Sequence, residues 1–264
     1  MKRVAIVQSS YIPWKGYFSL IQLVDEFILY DDVQYTHRDW RNRNRIKTPA
    51  GAEWLTIPVT VKGRREQRVC DASIFDPIWA KKHWRAIGLH YSRAAHFAQV
   101  APLLEPLYAS CEQEPALSRV NAAFIGALCE WLAIPTRISW SMDYTLAGGR
   151  TERLVHLCRQ AGATEYLTGP AARAYLDESL FARAGIRVLW MDYSGYPEHR
   201  QLYTPPFVHE VSVLDLLMNE GAAGAARYLA DFRRLAQARF ARAAAADGAH
   251  ATGAADAPQG HAYA

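Results

Sequence analysis

"TRISWSMDYTLAGGRTERLVHLCRQAGATEYLTGPAARAYLDESLFARAGIRVLWMDY", residues 136–193, changes its apolar period four times in fifty-eight residues. TRISWSMDY reads as a strand, and RTERLVHLCRQAG as a helix that ends on Gly162. TEYLTG is again strand-like, ARAYLDESLFARAG helical to Gly185, and IRVLWMDY a third strand. Glycine just past the last periodic residue is where a helix terminates most readily. Strands separated by helix-length segments must run parallel, and a parallel sheet needs both faces covered.

The same alternation is found at the amino end. VAIVQ predicts a buried strand, and GYFSLIQLVD carries Tyr17, Phe18, Leu20, Ile21, Leu23 and Val24 at helical spacing. FILYDDVQY resumes strand character, which completes a βαβ unit. HRDWRNRNRIK reads as a basic turn and EWLTIPVTV as a β-branched strand. Residues 76–134 carry three helical faces, and VSVLDLLMNEGAAGAARYLA a terminal helix or helix pair. The expectation is an α/β protein: a Rossmann-like three-layer parallel sheet with a helical insertion at about 76–134, in one domain spanning 1–242. The Ala/Gly-biased segment 243–264 has too few large apolar residues to pack and is expected to be a disordered tail.

Half of the 264 residues are apolar, enough for a substantial core. Lys plus Arg number 30 against 26 Asp plus Glu, spread along the chain, so charge alone points to no nucleic acid or membrane surface. The start shows no signal-peptide pattern and no window is apolar enough for a membrane span. Cys70, Cys111, Cys129 and Cys158 lack the spacing of a disulfide framework or a metal site. A cytoplasmic protein is expected, with no metal and no named cofactor.

Ligands of open α/β sheets bind beyond the carboxyl ends of the strands. The first such loop holds Pro13, Trp14, Lys15, Gly16 and Tyr17, with Gln8 just before it. PWKGYF has the cadence of the nucleotidylyltransferase loop, in which Pro precedes His-x-Gly-His. Trp14 and Tyr17 stand at the two His positions, so a relation to that (HUP) fold stays open while its phosphate chemistry is not expected. Asp31 and Asp32 end the next strand and are the candidate proton acceptors. Gln34, His37, Trp40, Arg41, Asn42 and Asn44 follow, a mixture of amides, guanidinium and indole suited to phosphate, carboxylate or nucleotide-sugar ligands. Arg150 and Thr151 open a helix, Gly169 turns a strand into one, and Asp177 offers an acceptor. His156 and Cys158 lie two apart on a helix and do not face each other, which argues against a thiolate–imidazole pair. The stretch from Tyr193 through Tyr196, Glu198, His199 and Gln201 to His209 has the length and aromatic content of a binding lid.

Taken together, PWKGYFSLI, DDVQY, WRNRNRIKT, WLTIPV, RTERLVHLCRQAGATEYLTGPAARAYLD, GIRVLWMDYSGYPEHRQLY and VSVLDLLMNEG resemble the WbqC family from Met1 to about Gly221. The chain departs from that pattern at Gln8–Ser9, where members usually show Gln-Pro, and at His199, where Tyr is commoner. The resemblance implies surface-polysaccharide (O-antigen) or secondary-metabolite biosynthesis, and an amide-forming acyl or aminoacyl transferase acting on an amino sugar or carrier-bound amine. Partners implied are an amino-sugar nucleotide or carrier-bound thioester, with an acyl or peptidyl carrier protein. Gln8, Asp31, Asp32, Gln34, Asn42, Asn44, Arg150, Thr151, Gly169, Asp177, Gln201 and Asp215 are its site candidates. Two other readings stand beside it: an ATP-dependent, carboxylate-activating enzyme, and a non-catalytic binding protein of the same pathway.

Overall fold

The computed structural model describes residues 1–253, with side chains to 245. Five strands, β1 (Arg3–Val7), β2 (Glu26–Leu29), β5 (Arg137–Trp140), β6 (Glu165–Thr168) and β7 (Arg187–Trp190), form one parallel sheet in the order β5-β2-β1-β6-β7. Between β2 and β5 come an antiparallel hairpin, β3 (Arg43–Thr48) and β4 (Gly51–Thr56), and three helices, α2 (Trp79–Tyr91), α3 (Phe97–Cys111) and α4 (Leu117–Trp131). The helices α1 (Lys15–Ile21), α5 (Arg150–Gln160), α6 (Glu178–Arg183) and α7 (Val213–Gly253) complete the chain.

The side chains of β1 and β2 sort to opposite faces. Val4, Ile6 and Ile28 pack against Leu154, Leu157 and Cys158 of α5 and Phe181 of α6. Ala5, Phe27 and Leu29 face the larger core with α1, α4 and α7. Period-two alternation with both faces buried is what makes the strands read as short continuous apolar runs. The result is the expected three-layer, Rossmann-like α/β arrangement.

The amino edge of the sheet is closed by ion pairs. The Glu26 carboxylate, fully buried, meets Lys2 at 2.7 Å, and Glu165 meets Arg3 at 2.7 Å and Arg187. Burial alone would raise the Glu26 carboxyl, but hydrogen bonds from Lys2, Ser139 and Tyr144 hold it below the usual carboxylate range.

Two local differences from the sequence reading have plain causes, and a third feature, the break in the terminal helix, agrees with the expected helix pair. The basic stretch read as a turn contains β3, with Arg45 paired across to Trp54 and Ile46 to Glu53. The helix read over 171–185 is a 3-10 turn, Pro170–Ala174, followed by α6, because Asp177 accepts the Ser179 amide at 2.9 Å and starts a new helix. Gly221, at φ +69, breaks α7 into two helical pieces. As for the tail, α7 extends to Gly253, and residues 254–264 lie outside the described residues.

Candidate functional site

In chain order the sheet is 3-2-1-4-5, so its direction of winding reverses between β1 and β6. Ligands of such sheets occupy the carboxyl side of that reversal. The loops leaving β1, β2, β6 and β7 there carry most of the expected residues.

The β1–α1 loop is packed tightly. Ile12 is fully buried at φ +36, a β-branched residue in the left-handed region, which costs about 1–3 kcal/mol that its surroundings sustain. Trp14 is half-buried against Tyr193 and Tyr196, with ring centroids 5.3 and 5.9 Å away. Gly16 gives that indole its seat. The Tyr17 hydroxyl donates to the Gln8 carbonyl at 3.0 Å, as does Arg41 at 3.2 Å. Trp14 thus plugs the mouth of the reversal, alongside Gly169, which lies close to the Tyr193 hydroxyl.

Asp31 and Asp32 have different surroundings. Asp31 is fully buried and accepts the Ser9 amide at 2.8 Å and the Ser118 hydroxyl at 2.5 Å. Burial pushes its carboxyl up, against those hydrogen bonds and Arg41. Asp32 is half-buried, with one oxygen taken by the Ser141 hydroxyl.

Past Asp32 in the same loop, from Gln34 on, opens a cleft of about 470 Å³ whose walls include Gln34, His37, Arg64 and Arg65. It exists because 60–70 folds back along 31–37: Tyr35 donates its amide to Gln67, Val69 to Val33 and Cys70 to Asp31, at 2.8–3.0 Å. Gln34 ties the two walls, donating to the Arg65 carbonyl at 3.0 Å, and Gln8 donates to the Gln34 carbonyl at 3.3 Å. The cleft is basic, mixed polar and apolar, and within the size range of small-molecule sites.

Asn42 and Asn44, expected to meet a ligand, point inward on the hairpin. They donate to the backbone carbonyls of Ile57 (2.8 Å) and Tyr11 (3.1 Å). The alternation that buries them turns Arg43 and Arg45 outward, where Arg43 lies 4.0 Å above the Trp54 ring. Asp177 caps α6, Thr151 accepts the Asp177 amide at 3.4 Å, and Arg150 lies over Tyr175. Gln201 latches the lid loop, bonded both ways to Val208 and to Asp215 at 2.8 Å. Lys15 is buried beneath that loop.

Burial raises every thiol: Cys129 to about 12, and Cys70, Cys111 and Cys158 upward. None has the environment of an activated nucleophile. Among the described residues no cluster of three or more His, Cys, Asp or Glu is placed to hold a metal, and no helix is long and apolar enough to cross a membrane. Arg64 and Arg65 were missed in the sequence because a charged loop gives no periodicity to read.

No solved structure matches this chain. A relative from Mycobacterium tuberculosis (strain ATCC 25618 / H37Rv), the uncharacterized protein Rv1507c, is 56% identical over 222 residues, covering 84% of this chain and 95% of that protein. The model of the WbqC-like protein family matches residues 8–227, from the loop that leaves β1 through the basic cleft, the β7–α7 loop and the first part of α7. With the whole carboxyl edge inside that match, the chain belongs to the WbqC-like protein family.

Proposed function

We propose that this protein is a transferase that forms an amide, joining an acyl or aminoacyl group to the amine of an amino sugar or carrier-bound substrate. The observation that carries this reading is a half-buried, singly bonded Asp32 two residues before Gln34, where the wall of a basic cleft begins. Arg64, Arg65 and His37 suit the diphosphate of an amino-sugar nucleotide or the phosphate of a pantetheine carrier. The amine nitrogen attacks the acyl carbon of a thioester, Asp32 takes the amine proton, and the thiolate leaves. The raised thiols argue for direct transfer and against an acyl-cysteine intermediate.

The test begins with thermal shifts against amino-sugar nucleotides and coenzyme A thioesters, since a ligand at a hundred times its Kd stabilises by about 2.7 kcal/mol. With a substrate pair in hand, Asp32→Asn is expected to lower turnover roughly 10²- to 10⁴-fold at unchanged melting temperature. Undiminished turnover in that variant removes Asp32 as the base.

A further inference from the structure

The loop between β7 and α7 folds over α1 and closes an aromatic chamber around Lys15. This residue begins α1 and is 2% exposed. Its Nζ stands 5.5 Å above the Tyr196 ring, 5.2 Å above Phe207 and 5.6 Å above Tyr228. Its hydrogen bond is to Nδ1 of His209, at 3.1 Å. Among the described residues no carboxylate lies within ion-pair distance of it. Burial favours the neutral amine and brings Lys15 down to about 8, although the charges of Asp215 and Glu210 pull the other way.

An imidazole shares two of these walls. His199 lies edge-on to Phe207 and Tyr228, at 5.0 and 5.7 Å between centroids. Its Nε2 is 2.8 Å from Oδ2 of Asp215, which also accepts from Gln201 at 2.8 Å, while Oδ1 accepts the Tyr91 hydroxyl at 3.0 Å. The carboxylate therefore fixes the ring. His199 Nδ1 is buried and has no hydrogen-bond partner among the described residues. A buried amine without a counter-ion, and a carboxylate-held imidazole whose other nitrogen has no partner, are both arrangements that folding alone disfavours.

We propose that Lys15 is the nucleophilic amine of a second reactive site, which condenses with the carbonyl group of an aldehyde or ketone. The Nζ lone pair forms a bond to the carbonyl carbon. One nitrogen proton passes to the oxygen through Nδ1 of His199, and a second proton from solvent lets water depart as the C–O bond breaks. An iminium linkage to Lys15 remains, with no change in oxidation state. His199 carries the proton, and Asp215 is a positioning residue that acts through it. This inference goes beyond amide formation and does not depend on it.

The test uses the intact protein and small probes: dilute formaldehyde with cyanoborohydride, which converts an iminium into a stable methylamine, followed by peptide mass mapping. At about pH 7.5 Lys15 is expected to be modified roughly tenfold faster than the exposed Lys62, Lys81 and Lys82, because more of it is neutral, even allowing for its lower basicity. Its rate is expected to reach half its maximum near pH 8, whereas the exposed lysines keep rising. His199→Gln is expected to slow labelling of Lys15 and leave the other lysines unchanged. Labelling of Lys15 no faster than that of the exposed lysines overturns the proposal, and this comparison within the unmutated protein needs no variant to fold. Fast labelling that is indifferent to His199→Gln overturns the proton-carrying role.

Discussion

The indole of Trp14 rests directly on Gly16: a β-carbon at Gly16 would stand 2.2 Å from Cζ2 of that ring and 2.5 Å from Cε2. No side chain fits in that space unless the indole moves, and Tyr193 and Tyr196 hold it from the other side. Gly16→Ala is therefore expected to destabilise by about 1–3 kcal/mol, the usual cost of overpacking a filled site. Chemical denaturation reads this directly, and an unchanged midpoint contradicts the packing.

Asp31 and Asp32 are adjacent in sequence but make opposite predictions. The Asp31 oxygens both accept, one from the Ser9 amide, which can only donate, and one from the Ser118 hydroxyl. Asp31→Asn turns one acceptor into a donor pair inside the core, so a loss of about 1–3 kcal/mol in stability is expected. A denaturant midpoint equal to that of the parent shows that the site relaxes at no cost. Where Asp32→Asn is expected to spare the fold and impair turnover, Asp31→Asn is expected to weaken the fold first.

Acid sensitivity has a buried source in His83, whose Nδ1 is 2.8 Å from the Tyr11 hydroxyl. Burial lowers this imidazole to about 4 from its ordinary 6.5. The unfolded chain therefore binds the proton first as pH falls. The stability that the neutral ring contributes is complete above about 6.5, drains away between there and about 4, and is constant below. Two and a half pH units of difference correspond to a loss on the order of 3 kcal/mol. Stability measured across this range should fall in the parent and fall less in His83→Gln; parallel curves refute the assignment. His209, lowered by burial and by Lys15, adds in the same direction and persists in the variant.

How much of this was legible in the sequence depends on which force fixed each element. The βα alternation from Thr136 to Tyr193 was readable because short strand-like runs alternate with helical ones, the central β6 is buried throughout, and the helices stop on Gly162 and Gly185, at φ +68 and +70. β3 was not, because its buried residues are Asn44, Ile46, Lys47 and Thr48 and only Arg43 and Arg45 turn outward, so hydrophobicity does not alternate. Once the strand is known, the inward turn of Asn44 and the outward turn of Arg43 and Arg45 follow from a period of two. Gln34 and His37 could be placed from their position after a strand. Their partners Arg64 and Arg65 reach them only through long-range backbone bonds between 60–70 and 31–37, for which no local pattern exists.

The cleft makes the last prediction, and it separates charge from shape. Arg64 and Arg65 are exposed on a loop, and neither makes an ion pair among the described residues. Removing both as Arg64→Ser and Arg65→Ser thus strips charge from the cleft without unburying a partner, and stability should change by less than about 0.5 kcal/mol, as is usual for such surface changes. Binding of an anionic substrate should weaken, and the dependence of its Kd on salt should become shallower, because exposed guanidiniums act through a screened field. Calorimetric titration of the parent and double variant at low and at physiological salt checks both. Weaker binding with an unaltered salt slope would mean that the loop contributes shape alone, and unaltered binding would place the anionic group of the substrate outside this cleft.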